Sequence, residues 1–315
     1  MTPLLFDVDT GVDDALALLL ALGSPDADVL GIGTVAGNVE LEKCTANSLR
    51  VLELVGRAEI PVSPGCSRPL TQPLETAANV HGGDGLGGVG LPPPRVTPCG
   101  EHAVDQMIRI ARDRPGEVTL VALGPLTNVA VALLLEPELP RLFRKLVLMG
   151  GAFAHAGNMS ATAEFNIWVD PEAAKAVFEA GFDTTIVPLD ATMQAMLTDE
   201  HLEQLGSGAV GQFARDVTRD YMELYNRRRG RRAAAMHDPL ATAIALDPSL
   251  MTESSDIPVT VETRGEWTRG MTVGDRRVGQ RADSPPGQAT VCLKADADRF
   301  FDRFVGALRK LDAPR

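Results

Sequence analysis

At 315 residues, with 44% hydrophobic and 23% charged side chains, the chain is long enough to bury one large core and falls in the soluble globular class. Its formal net charge of -12 repels nucleic acid and anionic membrane surfaces and favours cations near clustered carboxylates, so no polyanionic partner is expected. Cys44, Cys66, Cys99 and Cys292 are scattered without C-x-x-C spacing, which argues against a zinc site or a disulfide framework.

These thiols suit a reducing cytoplasm. The start Met1–Asp7 has no basic segment followed by a long apolar one, and no run reaches the roughly 18 apolar residues of a membrane span. A cytoplasmic protein is the expectation.

In chain order, strand-length apolar runs alternate with helix-length amphipathic stretches. The pattern predicts strands at Leu4–Val8, Val29–Val35, Val118–Ala122, Lys145–Met149 and Thr185–Pro188. Between them it predicts helices at Ala15–Leu22, Leu41–Val55, His102–Arg112, Thr127–Leu135 and Pro171–Ala180. Further on, Asp199–Arg229 is mostly helical, His237–Leu246 is another helix, Asp256–Glu262 and Thr290–Leu293 are late strands, and a helix spans about Ala297–Leu311. The Gly/Pro-rich stretches Pro64–Pro98 and Gly265–Gly287 read as surface loops. The expected architecture is α/β: one domain over residues 1–315, with a mainly parallel, Rossmann-like central sheet flanked by helices and with extra helices and short strands in the C-terminal half.

Ligands of open α/β sheets sit beyond the carboxyl ends of the strands, which directs attention to the residues just after each one. After the first strand comes Asp7-Val8-Asp9-Thr10-Gly11-Val12-Asp13-Asp14, with four carboxylates in eight residues. Helix capping accounts for one or two of them. Four repel one another unless a cation intervenes, and with no His or Cys nearby the hard oxygen ligands point to calcium or magnesium.

Other strand ends carry polar groups. Asn38 follows the second strand, and the Leu123 carbonyl, at the break Leu123-Gly124-Pro125, is free to bind a ligand or metal. The glycine-rich segment after His81 follows no strand and reads as a flexible loop rather than a phosphate cradle. In Ala163–Pro171, Glu164 and Asn166 share one face if extended, interleaved with Phe165 and Ile167, a pattern suited to gripping hydroxyls while excluding water. Trp168 reads as core. His237-Asp238-Pro239 opens a helix; Asp238 is a plain N-cap or, beside a metal cluster, a further ligand with the imidazole next to the substrate.

On Asp7–Ala15, Gly37-Asn38, His81-Gly82, Glu164-Phe165-Asn166 and His237-Asp238-Pro239, in this order and approximate spacing, the sequence resembles the nucleoside hydrolase family, in particular its inosine-uridine-preferring members. The resemblance covers nearly the whole chain. It implies a calcium ion held by Asp9, Asp14, Asp238 and the Leu123 carbonyl, with Asp9 also the general base toward a metal-bound water. It implies that Asp13, Asn38, Asn158, Glu164 and Asn166 hold the ribose hydroxyls, with Met149 and Phe165 packed around the sugar. His237 matches the leaving-group acid, His81 and Tyr225 match positions lining the base pocket, and Asp7 supports the cluster from behind. The partner implied is a small nucleoside, and the assembly a homodimer or homotetramer. The chemistry agrees: an oxocarbenium-like transition state needs an activated water on one face of the sugar and a proton for the departing base on the other.

Arg227-Arg228-Arg229 with Arg231-Arg232 stands outside this resemblance and reads as a solvated lid segment, or, more sharply, as an attractor of an anionic nucleotide. Two rival functions remain. Asp7-x-Asp9 after a strand is similar to the nucleophile motif of haloacid-dehalogenase-type phosphatases, although Gly11 stands where that family has Thr or Val. A calcium-stabilised binding protein without turnover is the other.

Overall fold

The apolar residues of the first strand, β1 (Thr2–Val8), divide between two cores because successive side chains of a strand point to opposite sides. Leu4, Phe6 and Val8 enter one core with the helices Val12–Gly23, Leu41–Leu54, Ala209–Arg229, His237–Leu246 and Ala297–Asp312. Leu5 enters the other with Ala103–Asp113, Thr127–Leu135 and Pro171–Phe178. The result, in a computed structural model that describes residues 1–277 and 282–313 and only the backbone at 228 and 229, is a sheet clad by helices on both faces.

The further strands are β2 (Ala27–Thr34), β3 (Val62–Pro64), β4 (Thr119–Ala122), β5 (Lys145–Met149), β6 (Thr184–Val187), β7 (Met196–Leu197), β8 (Ala234–Ala235), β9 (Met251–Val261), β10 (Thr272–Gly274) and β11 (Gly287–Ala295). The main sheet runs β10-β9-β11-β6-β5-β4-β1-β2-β3; β9 is antiparallel to β11 and β10, and every other pairing is parallel. β7 and β8 form a separate antiparallel pair. From β1 the chain winds outward through β2 and β3, then returns to β4 on β1's other side. A crevice opens at that reversal, beyond the carboxyl ends of β1 and β4, where ligands of such sheets bind.

The helices Thr127–Leu135 and His237–Leu246 and strand β5 fall on their predicted residues. The first helix starts at Val12, three residues before the prediction, which puts Asp13 and Asp14 inside its first turn. β3 and β10 lie at or within the stretches read as loops, being too short for periodicity to reveal; positions 278–281 of the second stretch lie outside the described residues. Two readings are corrected. Ala163–Pro171 is not an extended strand but contains the helix Phe165–Val169, because the Glu164 carboxylate accepts the amides of Asn166 at 2.9 Å and Ile167 at 3.2 Å as an N-cap. Trp168 is half-buried rather than core. No helix among the described residues is long and apolar enough to cross a membrane.

The Val12–Gly23 helix is apolar on almost every side because it is buried on almost every side, packed on His237–Leu246 and Ala297–Asp312. Its last residue, Gly23, lies against the Ala307 backbone so closely that an added methyl would collide with the Ala307 carbonyl oxygen. Backbone cannot swing aside as a side chain can, so overpacking outweighs the modest helix-propensity gain of alanine. Gly23→Ala is expected to destabilise the fold by about 1–3 kcal/mol in urea denaturation; an unchanged or raised midpoint would show that the two helices separate freely.

Candidate active site

Carboxylates organise the turn after β1. Asp14 accepts from the Gly11 amide at 2.8 Å and the Asp9 amide at 3.3 Å, so the capping role holds for this one acid. The Asn38 amide fixes Asp9 Oδ2 at 2.7 Å, while Asp9 Oδ1 and Asp13 Oδ1 are buried with no hydrogen-bond partner. Asn38 Nδ2 also donates to Asp14 Oδ2 at 3.1 Å. A side chain at Gly11 would place its Cβ 2.6 Å from His81 Nδ1 and 2.7 Å from Asn38 Nδ2, so this turn closes only around glycine. From the far end of the sequence, Asp238 in the first turn of His237–Leu246 brings a carboxylate oxygen within 4.8 Å of oxygens on Asp13 and Asp14. Below the cluster, Asp7 Oδ1 accepts from Asn128 Nδ2 at 2.7 Å.

Above lies a cavity of about 600 Å³. Asp13, Asn38, His81, Leu123, Met149, Asn158, Glu164, Phe165, Asn166, Tyr225, His237 and Asp238 all line it; Asp9 and Asp14, fully buried, do not. Glu164 also accepts from the Gly151 amide at 3.0 Å, and Asn158 Oδ1 accepts from the Phe165 amide at 2.9 Å. The Leu123 carbonyl is not free, as the sequence reading had it: it accepts from Asn166 Nδ2 at 2.7 Å, which leaves its second lone pair for a ligand. The same Nδ2 lies 3.2 Å from the Met149 carbonyl, so Asn166 faces any other partner through its Oδ1.

His81 is no flexible-loop residue. It ends the short helix Ala78–His81, is buried, and accepts the Val12 amide on Nδ1 at 3.1 Å. An amide only donates, so Nδ1 is bare; burial lowers this imidazole to a pKa of about 4, and Asp13 Oδ1 at 3.8 Å from the same nitrogen is therefore no ion pair at neutral pH. His237 has Thr192 Oγ1 2.7 Å from Nδ1 and the Tyr225 hydroxyl 3.3 Å from Nε2. Tyr221, one turn before Tyr225, stacks on His81 with centroids 5.8 Å apart and meets Tyr225 edge-on at 5.3 Å.

Residues 4–302 match the family model described as inosine-uridine preferring nucleoside hydrolase. The chain is 38% identical to the inosine-uridine preferring nucleoside hydrolase of Crithidia fasciculata, over 99% of both chains. It is 42% identical to the pyrimidine-specific ribonucleoside hydrolase RihA of Photobacterium profundum, over 95% of this chain and 96% of that one. In three dimensions it matches the purine-preferring ribonucleoside hydrolase from Gardnerella vaginalis with a TM-score of 0.92 and 35% identity, each chain covered to 99%. The chain belongs to the nucleoside hydrolase family. These relatives are named for different bases at similar identity, so overall likeness does not select the base; the cavity walls must.

This nucleoside hydrolase is thus an enzyme acting on ribonucleoside N-glycosidic bonds, and the phosphatase alternative falls: Asp7, its would-be nucleophile, is buried and tied to Asn128. Its acids fit a hard divalent cation. Two orphaned buried carboxylate oxygens and an all-oxygen set are what such an ion satisfies. Without neutralisation, burial and then repulsion from Asp14 push Asp9 well above the usual carboxylate range. Burial and the charges of Asp13, Asp14 and Asp9 do the same to Asp238. Asp13 rises to about 8 through burial and Asp14; Asp14 reaches only about 6 because the Gly11 and Asp9 amides oppose its burial.

Sequence reasoning missed Tyr221, Thr192 and Asp190. Tyr221 had a signal, its i, i+4 spacing from Tyr225 on one helix face. Asp190 and Thr192 follow β6, whose carboxyl end carries no motif; Asp190 accepts the amides of Phe153 at 2.8 Å and Ala154 at 2.7 Å, anchoring the loop that carries the cavity residue His155.

Asp13 at about 8, Asp14 at about 6 and Glu164, raised by burial to about 7, contrast with about 4 in an unfolded chain. The folded protein thus holds protons that the unfolded chain has already lost. Their contribution to stability is complete below about pH 4 and fades as pH rises through about 6 to 8. A cation competes with those protons. Any rise in Tm on adding a hard divalent cation is expected to grow from about pH 5 to about pH 8; a rise independent of pH would place the binding elsewhere.

Proposed function

We propose that this enzyme hydrolyses ribonucleosides to ribose and free base with a calcium ion held by Asp9, Asp14, Asp238 and the Leu123 carbonyl, and with Asp9 as general base. The observation that carries this reading is the arrival of Asp238 beside Asp13 and Asp14 at the cavity whose wall includes the adjacent His237. Calcium, when bound, supplies Lewis-acid charge that acidifies water and orients the 2′ and 3′ hydroxyls. Asp9 Oδ1, buried and without a partner, is the acceptor for a proton of the attacking water. Asp13, Asn38, Asn158, Glu164 and Asn166 hold the ribose, with Met149 and Phe165 against it. The C1′–N bond breaks with its electron pair going to the base, which receives a proton from His237, while the oxygen of water joins C1′. His81 and Tyr225 line the base side.

A cytoplasmic homodimer or homotetramer completes the reading; four unpaired cysteines support the compartment and family resemblance the assembly. The anionic-substrate reading of Arg227–Arg232 gains nothing. Arg232 pairs with Asp199 at 3.1 Å and Glu223 at 3.8 Å, Arg227 and Arg231 are exposed, and the side chains of Arg228 and Arg229 lie outside the described residues. No lysine or arginine lines the cavity among the described residues.

A reducing-sugar assay over inosine, uridine, cytidine and adenosine tests the proposal. Activity is expected to vanish with a chelator and return with calcium, and Asp9→Asn to lose roughly 10²–10⁴ in kcat with an unchanged fold. Turnover indifferent to chelation would remove the cation from the mechanism; a parent that binds nucleosides without releasing base would leave a binding protein. In the same assay the nucleoside is expected to outcompete its 5′-monophosphate, and a preference for the phosphate would restore a role for the arginines.

A further inference from the structure

Thr192 is fully buried at the end of the short helix Leu189–Thr192, directly after β6, and is not part of the cavity wall, whereas Tyr225 and His237 are. The imidazole of His237 therefore has its Nδ1 side toward the protein, 2.7 Å from Thr192 Oγ1, and its Nε2 side toward Tyr225, 3.3 Å from the phenol oxygen. Among the described residues the Thr192 hydroxyl has no other hydrogen-bond partner than this nitrogen. A threonine in a helix ordinarily turns its hydroxyl back to a carbonyl one turn earlier; this one spends it on the ring.

A buried O–H without an acceptor costs about 1–3 kcal/mol. The hydroxyl satisfies its hydrogen only by donating to Nδ1, which requires that nitrogen to be bare in the neutral ring. The ring hydrogen then belongs to Nε2, the nitrogen on the cavity side. The opposite tautomer would orphan the Thr192 hydrogen and turn a lone pair toward the departing base.

We infer that Thr192 is a positioning residue for the reaction: it fixes the rotation and tautomer of His237 so that Nε2–H is presented to the leaving nucleobase. The inference rests on the reading of His237 as the group facing that base. Thr192 touches no substrate and acts only through the ring, as orienting groups behind catalytic imidazoles do.

The test separates the hydrogen bond from the kinetics. In calcium-loaded enzyme with ¹⁵N-labelled histidine, the His237 signals, assigned by their loss in His237→Gln, are expected to show an unprotonated Nδ1 and a protonated Nε2. Thr192→Val keeps the shape and deletes the hydroxyl. It is expected to shift His237 toward a mixture of tautomers, to lower kcat about 10-fold or more with KM little changed, and Thr192→Ser is expected to recover most of the rate. A protonated Nδ1 in the neutral ring of the parent overturns the inference even if the valine variant does not fold. So does a folded valine variant with parental kcat. If His237→Gln itself retains full kcat, the role of His237 at the base fails, while the NMR result still decides whether Thr192 sets the tautomer.

Discussion

Mutual repulsion among Asp9, Asp13, Asp14 and Asp238 is the constraint on which the rest depends. At an effective dielectric near 20, two unit charges 4 Å apart repel by about 4 kcal/mol, a large part of the roughly 5–15 kcal/mol that holds a whole domain together. Four ionised carboxylates cannot share this dry junction unaided, so they retain protons or hold a cation. The two outcomes are not equivalent for chemistry. A protonated Asp9 is a poor acceptor for a proton of water, so on the proposed mechanism the ion that would relieve the repulsion is also what would let Asp9 act as a base. The Oδ1 atoms of Asp9 and Asp13, buried without a hydrogen-bond partner, are atoms that such an ion would satisfy.

Topology explains how the four acids meet. β1 ends at the reversal of strand order, where helices on either side diverge and leave room for a ligand. Asp9, Asp13 and Asp14 come from the turn and helix that follow β1, and Asp238 comes from the first turn of a helix packed directly on that one. The Val12–Gly23 helix is therefore both the most buried helix of its core and the carrier of two of the acids. Its packing on His237–Leu246 sets the distance across the cluster, and close approaches at Gly11 and Gly23 fix its two ends.

Much of this was legible in the sequence where a signal was local. Strand and helix periods located the parallel sheet, and four acids in eight residues after the first strand marked the site. Signals failed where tertiary contacts decide. Glu164 reads as a strand residue until its carboxylate is seen to cap the helix it precedes, an interaction that the polar–apolar alternation of Ala163–Val169 conceals. His81, among glycines, reads as mobile; its burial depends on the amide of Val12, which no spacing rule connects to it. The Leu123 carbonyl looked free because the partner that engages it, Asn166, lies 43 residues on. Thr192 carries no motif at all, and only its place after a strand end gave a reason to look.

The two sides of the cavity have different origins, and this bears on how selectivity is built. The residues proposed to hold the ribose come partly from strand ends and the turns that follow them, Asp13, Asn38 and Met149, and partly from the segment after β5 that carries Asn158, Glu164, Phe165 and Asn166. The wall proposed to face the base comes from residues outside the main sheet: Tyr221 and Tyr225 on the Ala209–Arg229 helix and His81 on Ala78–His81, joined by His237. Both histidines are tied back through Nδ1, one by an amide and one by a hydroxyl, so each keeps Nε2 for its other neighbours. On that proposal, substitution along one face of the Ala209–Arg229 helix changes the wall that faces the base while the acids after β1 stay in place. With the proposed division of tasks, the preferred base can change without disturbing the acids proposed to activate water, because the two sets of residues sit on elements that share a cavity but not a strand.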